Sequence, residues 1–367
     1  MSQVFFIDLR ASIKRNLFDK LGELCDAAGL NDVVRARDLV AIKVHFGERG
    51  NTAFIRPIFI RQVVDRVKAT GGKPFLTDAN TLYAGTRSDS VSHLTTAIEN
   101  GFAYAVVGAP LIIADGLRGN ATTAVEVNLQ HYKSVAVGSD IAAADAYISC
   151  AHFKCHELAG FGGAIKNTGM GSAGRAGKLS QHSNIAPKVN KKRCNVCREC
   201  LPRCAADAFI FGEKGVDIDQ GRCTGCGECI ILCPHQAIDI QWNEAIPVFQ
   251  QKMVEYAYGV LKPKEGRALF LNFVTDVSPA CDCYGFADAP VVGDVGILAS
   301  RDPVAIDAAS ADLVNIQAGC EGSCLESAQA KGDDKFRALY PKVDWEVQLD
   351  YAAKLGLGER RYELVKL

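Results

Sequence analysis

From Asp38 onward the apolar positions switch between two periods. "LVAIKVHF", 39–46, is β-branched and strand-like. Beyond it Ile60, Val63, Val64 and Val67 recur at i, i+3, i+4 and i+7, the stripe of an amphipathic helix that Gly71-Gly72 stops. "PFLTD" (74–78) predicts the next strand, 89–100 a helix ending at Gly101, and "PLIIAD", "SVAVG" and "AYISCA" three more strands. After a cysteine-rich stretch the pattern resumes with a helix over 246–261, the strands "RALFLNFV" and "DVGILA", and a helix opened by Asp302-Pro303. Ile306, Ala309, Leu313 and Ile316 lie on one side of that helix. Asp302 suits an N-cap and Pro303 the first helical position. Strands alternating with helices predict an α/β fold: a mostly parallel sheet with helices on both faces.

The pattern breaks between about Pro187 and Trp242, so a small module (187–242) reads as inserted into an α/β host formed by 1–186 and 243–367. Within it "RCNVCRECLPRCAADA" returns 29 residues later as "RCTGCGECIILCPHQA", Cys223 answering Cys194. Each copy carries C-x2-C-x2-C-x3-C. Three thiolates so spaced wrap three irons of a cubane while the fourth ligates the other cluster. Two [4Fe-4S] clusters are expected: one on Cys194, Cys197, Cys200 and Cys233, the other on Cys223, Cys226, Cys229 and Cys204. Paired C-x2-C units also hold zinc, but eight cysteines in doubled spacing are the iron-sulfur signature. The module resembles bacterial two-cluster ferredoxins, a small α+β domain. It departs from them at Ala205, where that family has proline and where an N–H is free to bond a cluster sulfur.

The 367 residues carry a net charge of -1, which argues against a nucleic-acid scaffold and gives no reason for a membrane partner. The first ten residues lack a secretory signal, and the longest apolar run, 102–114, is too short to span a bilayer. The expectation is a cytoplasmic protein, in which fifteen cysteines serve as metal ligands or redox groups. Lys191, Lys192, Arg193, Arg198 and Arg203 stand around the first run against Glu199 alone, either a solvated face or a docking patch for an acidic redox partner such as a ferredoxin.

In open parallel sheets ligands bind beyond the carboxyl ends of the strands. Polar groups follow four predicted strands there: His45 and Glu48; Asp78 and Asn80; Asp115; His152, Lys154 and His156. Next comes a run of seven glycines between Gly160 and His182 with Lys166, Arg175 and Lys178. It reads as a cradle for a small anion, or equally as a flexible glycine-rich lid or a tightly packed turn. Its "GMGSAG" is a weak G-x-G-x-x-G, with no strand directly before it. Cys281 and Cys283 in "SPACDCYG" follow another strand, and in extended backbone they would face the same way. Inert buried thiols, a redox pair, or an additional metal site completed by His152, His156 or Cys155 are the readings open. Cys25 and Cys150 read as packing thiols.

"VHFGERGN", "LTDANTLYAGTR", "HFKCHELAGFGGAIKNTGMGSAGRAGKLSQHS", "NFVTDVSPACDCYGFADAP" and "GILASRDPVAID" resemble the recurrent segments of the domain of unknown function 362 family, in the form carrying an inserted two-cluster ferredoxin module. The resemblance implies an α/β host with iron-sulfur clusters and supplies no catalytic assignments. The reading that follows is an iron-sulfur oxidoreductase or its electron-transfer subunit. Electrons would reach a strand-end site of Cys281, Cys283, His152 and His156, with Lys166, Arg175, Lys178, Asp78 and Asn80 around an anionic small molecule. The alternatives are a non-catalytic electron carrier or adaptor and a metal-handling or cofactor-maturation factor.

Overall fold

The computed structural model describes residues 1–212 and 215–367. Its centre is an eight-stranded sheet made of β1 (Ser2–Asp8), β2 (Leu39–Val44), β3 (Lys73–Asp78), β4 (Leu111–Ile113), β5 (Ala146–His152), β6 (Ala268–Val274), β7 (Gly296–Ser300) and β8 (Tyr362–Lys366). The order across the sheet is β8-β1-β7-β6-β5-β2-β3-β4. Neighbours pair in parallel except at β7, which runs antiparallel to both β1 and β6. The sheet is therefore mostly parallel. Two strands beyond the predicted ones, β1 and β8, extend one edge, whereas "SVAVG" leaves the sheet and pairs with Thr122–Glu126 in a separate hairpin.

Alternate residues of each strand feed two cores. Val40, Ile42 and Val44, with Ile148, Cys150, Leu269, Leu271 and Phe273, pack beneath α1 (Leu17–Ala27) and α2 (Pro57–Ala69). Ala41, Tyr147, Phe270 and Val274 face the other side, where α4 (Ala164–Gly169), α6 (Ile246–Leu261), α7 (Pro303–Asn315) and α8 (Glu346–Lys354) lie. Both faces are covered, so the strands read as continuous apolar runs. The stripe of α2 is buried as its spacing requires, and Asp302 caps α7 by accepting from Val304 N and Ala305 N at 2.8 and 2.9 Å. Ile316 falls at the C-cap of α7 and is exposed, because the stripe outruns the helix. Cys25 and Cys150 are buried packing thiols, and burial pushes the Cys25 thiol up to about 12. The host also contains α3 (Ser90–Glu99), capped by Asp89, and α5 (Arg175–His182), besides short helical turns.

Between α5 and α6 the chain forms two small antiparallel pairs, Lys188–Val189 with Ile238–Asp239 and Phe209–Gly212 with Gly215–Ile218, and a short helix, Glu228–Leu232. Its own core holds Val189, Phe209, Val216, Ile230 and Ile238, with Cys194, Cys200, Cys204, Cys229 and Cys233 packed against them. The sequence repeat is also a backbone repeat. Val196, Arg198 and Asp207 take positive φ (60°, 67° and 45°), as do Gly225, Gly227 and Gln236 at the matching places (69°, 72° and 46°). A β-branched residue in the left-handed region is an outlier, costing about 1–3 kcal/mol, and persists where the surroundings over-determine it. Val196→Gly removes that strain and adds roughly 0.4–1 kcal/mol of unfolded-state entropy. A net stabilisation of about 1 kcal/mol is expected in urea unfolding of the metal-free protein.

Candidate functional site

A cavity of about 540 Å³ opens at the carboxyl ends of β2, β3 and β5, beneath α4 and α5. Five cationic side chains line it, Lys43, Arg87, Lys154, Lys166 and Lys178, against two carboxylates, Asp78 and Glu157. Leu82, Leu158, Met170, Tyr83, Tyr284 and Trp242 supply apolar wall.

The placement of Lys166 begins with Asp307 on α7. Its carboxylate accepts from Ala164 N and Ile165 N, at 2.7 and 2.9 Å, and from Asn272 Nδ2 of β6 at 2.8 Å, tying the start of α4 to the sheet. Burial pushes the Asp307 carboxyl up to about 6. A Cβ on Gly163 would stand 2.2 Å from that carboxylate, and one on Gly171 2.7 Å from Lys43 Nζ. These two glycines allow close packing of the run against Asp307 and Lys43. Asn167, one residue past Lys166, accepts from Lys43 Nζ at 2.9 Å and donates to Ser149 Oγ at 2.9 Å.

Most of the buried charges are paired. Lys43 Nζ meets Asp78 at 2.9 Å, Arg87 meets Glu48 at 3.2 Å and Asp78 at 3.5 Å, and Lys154 meets Asp282 at 3.0 Å. Burial opposes the ionised form of Asp78, yet Lys43 beside it holds the carboxyl well below its usual range. Asp282 is likewise held low against burial, by His152 and Lys154. Lys166 and Lys178 have no carboxylate partner among the described residues. Lys178 Nζ donates to Ala173 O, and Lys166 Nζ lies 3.7 Å from Cys281 Sγ. Burial brings Lys166 down to about 7 and Lys178 to about 8.

Cys281 and Cys283 both line the cavity and are joined as a disulfide. They sit in a turn, closed by Tyr284 N donating to Cys281 O at 3.1 Å, not in the extended backbone expected of them. Tyr83 Oη donates to Cys283 O at 2.9 Å and steadies the turn. Asp282 between them points away from the cavity to His152. That histidine is not in the cavity: Nδ1 is 2.8 Å from Asp282, and Nε2 is 2.9 Å from Thr275 O. With both nitrogens engaged, His152 braces the turn and is not open to a ligand. His156 does line the cavity. Its Nδ1 accepts from Leu158 N and Ala159 N, at 3.1 and 3.3 Å, which leaves the proton on Nε2. Cys155, on the opposite face of the Lys154–His156 strand, enters the core.

Two proposed anion contacts also lie elsewhere. Arg175 spends its guanidinium on the carbonyls of Thr81, Ser88 and Arg118, at 2.7, 2.6 and 2.9 Å. Asn80 donates to Asp115 and to Gly116 O, at 2.9 and 2.8 Å, building the strand ends from behind. Lys166, Lys178 and Asp78 remain as lining residues, joined by Lys43, Tyr83 and Arg87, which the sequence reading passed over. The signal for Lys43 was a charge within an apolar β run.

The cysteine module abuts this site. A second cavity is lined by Cys194, Cys197, Cys200 and Cys233, with Val189, Phe209, Phe211, Val216 and Ile238 around them. Backbone N–H groups at equivalent places point at sulfur, Ala208 N to Cys204 Sγ at 3.3 Å and Ala237 N to Cys233 Sγ at 3.2 Å. The donor to Cys204 is Ala208, and the donor to Cys233 is Ala237, its counterpart in the repeat. Among the described residues no group of three or more His, Cys, Asp or Glu closes around a single ion. On the second run, a Cβ on Gly227 would sit 3.2 Å from the Arg175 side chain and 3.4 Å from Leu82. Leu82 thus touches the module on one side and the cavity on the other. The basic patch is partly neutralised, Lys191 by Asp217 at 2.6 Å and Arg193 by Asp239, while Arg198 lies over Phe211. Among the described residues no helix is long and apolar enough to cross a membrane.

The fold and the cavity define an α/β protein with a cationic site at the strand ends. The family described as Domain of unknown function (DUF362) matches residues 40–312, and the chain belongs to it. A search of curated proteins finds no match. Among solved structures, the lactate racemase apoprotein from Thermoanaerobacterium thermosaccharolyticum is similar at a TM-score of 0.39 and 14% identity. That likeness covers 74% of this chain, which spans about half (51%) of the racemase.

Proposed function

We propose that the protein is an iron-sulfur oxidoreductase, or the electron-transfer subunit of one, that carries two [4Fe-4S] clusters and acts on a small anionic molecule in the strand-end cavity. The observation that carries this reading is the position of Cys233, 29 residues after Cys204 in the repeat, in the same cavity as Cys194, Cys197 and Cys200. The apolar lining, the N–H groups aimed at sulfur and the left-handed loop positions suit a cluster that needs four thiolates and inward-facing amides. Cys194, Cys197, Cys200 and Cys233 would hold one cluster, and Cys223, Cys226, Cys229 and Cys204 the other. Such clusters supply one-electron transfer at low potential.

The chain's own residues do the rest. Lys178, buried, and Lys166, half-buried, have no carboxylate partner among the described residues and attract an anionic group, since a desolvated cation is costly until a counter-charge arrives. His156 offers a fixed Nε2–H donor. Lys166, brought to about 7 by burial, is able to hold or release a proton at Nζ near neutral pH. The apolar wall of Leu82, Leu158 and Met170 keeps water from the bound group and strengthens each of these interactions.

The test is iron, sulfide and metal quantification on anaerobically purified protein, with EPR of the reduced form. About eight iron and eight sulfide per chain, with two interacting S = 1/2 signals, is the expected result. Zinc in place of iron, or no sulfide, would sink the reading.

A further inference from the structure

We propose that Cys281 and Cys283 form a reversible disulfide–dithiol couple in which Lys166 holds Cys281 as the thiolate, so that the cavity stores electrons in pairs. This rests on the proposed function only for the source of the electrons. Three observations converge. The two sulfurs are bonded, on a turn fixed by Tyr284 N and Tyr83 Oη. The donors are asymmetric, since Cys281 Sγ has Lys166 Nζ at 3.7 Å and Cys283 N at 3.4 Å. And Lys166 is a half-buried cation lining the cavity that, among the described residues, meets no carboxylate, while Lys43, Arg87 and Lys154 in the same cavity are each ion-paired. Glu157 and Asp282 also act on Lys166, but Cys281 Sγ is the side-chain atom within reach of its Nζ, so a thiolate formed there would be its direct counter-charge. A cation at this distance favours the charged sulfur.

The step balances as follows. Two electrons, delivered singly by iron-sulfur carriers, break the Sγ–Sγ bond. Cys283 Sγ, the more exposed sulfur, takes one proton, and Cys281 Sγ remains a thiolate beside the Lys166 ammonium. Below about pH 7, where Lys166 is already an ammonium, one proton is taken up per two electrons; without Lys166 both sulfurs are protonated and two are taken up. The other charged or titratable groups facing Lys166 are Lys154 and Glu157 from the hairpin, Asp282 from the turn, Lys43 from β2, and His156 and His182 across the cavity.

The experiment poises purified protein in dithiothreitol buffers of graded ratio between pH 5 and 6.5, where Lys166, at about 7, is an ammonium before reduction as well as after, traps thiols with N-ethylmaleimide, and weighs the peptide containing Cys281 and Cys283. Wild type is expected to pass from no label to two labels per peptide, with a pH dependence of one proton per two electrons. Lys166→Met is expected to need at least about tenfold more reductant and to show two protons; Lys166→Arg keeps the wild-type proton count. Two labels without reductant, none at any ratio, or a two-proton dependence in wild type would overturn the proposal. The last result needs no variant to fold. Because dithiothreitol supplies the electrons, a silent thiol pair in iron-loaded protein defeats this proposal alone, and a responsive pair in iron-free protein defeats only the cluster reading.

Discussion

Cys233→Ala is expected to lose the same iron-sulfur centre as Cys194→Ala, and Cys204→Ala the same one as Cys223→Ala, although in each pair the two residues belong to different copies of the repeat. Each variant should keep about half of the wild-type iron, since a cubane rarely survives without one of its four thiolates while its neighbour has a separate set. The cavity shared by Cys194, Cys197, Cys200 and Cys233 motivates the first pairing, and the matched amide contacts to Cys204 and Cys233 motivate the second. Iron analysis with EPR of the four variants checks it. If Cys233→Ala removed the signal that Cys223→Ala removes, each copy would hold its own metal, and the exchange of fourth ligands would be wrong.

Asp78→Ala is expected to destabilise the protein by about 3–5 kcal/mol, among the largest single effects in the host. The carboxylate lies 2.9 Å from Lys43 and 3.5 Å from Arg87, with His93 at 3.6 Å, beyond hydrogen-bond reach but close enough to feel the charge. All of these groups are buried, so removing the anion leaves Lys43 without an ionic partner and Arg87 with Glu48 alone. Urea unfolding at pH 7 measures the loss; Asp78→Asn, which keeps the shape, should show a similar sign and a smaller size. The sign with pH follows from the lowered carboxyl. Asp78 contributes its stability fully above the unfolded pKa of about 3.9, and loses it as pH falls through the much lower folded value. Wild type should therefore weaken below about pH 4 more steeply than Asp78→Ala. Equal slopes would mean that Asp78 is not the anion these cations depend on.

Local signals served the host well where one period dominated. The β-branched run at 39–46 became β2, the i, i+3, i+4, i+7 stripe became α2, and Asp302-Pro303 opened α7, because in each case burial on one face or both demanded that pattern. β1 and β8 were missed as edge additions outside the repeating units, and "SVAVG" was misplaced because a strand-like run does not state its partner. At the site, sequence position brought the right segments together and then failed at side-chain direction. His152 and His156 are four residues apart, yet one is consumed by Asp282 and two carbonyls while the other faces the cavity. Arg175 and Lys178 share one turn of α5, but the guanidinium finds three carbonyls first. Lys43 was hidden by its strand, since a lysine inside an apolar run reveals its purpose only when Asp78 and Asn167 are seen beside it.

Leu82 and Arg175 make the segment from Thr81 to Arg87 a party wall. Its inner side faces the cationic cavity, and its outer side seats Gly227 of the second cysteine run. The insert is therefore not interchangeable cargo. A graft of some other cysteine module onto this host would have to keep a small residue in the left-handed conformation where Gly227 meets Leu82 and Arg175, or shift the wall slightly. A donor host would have to supply the three carbonyls that hold Arg175 in place.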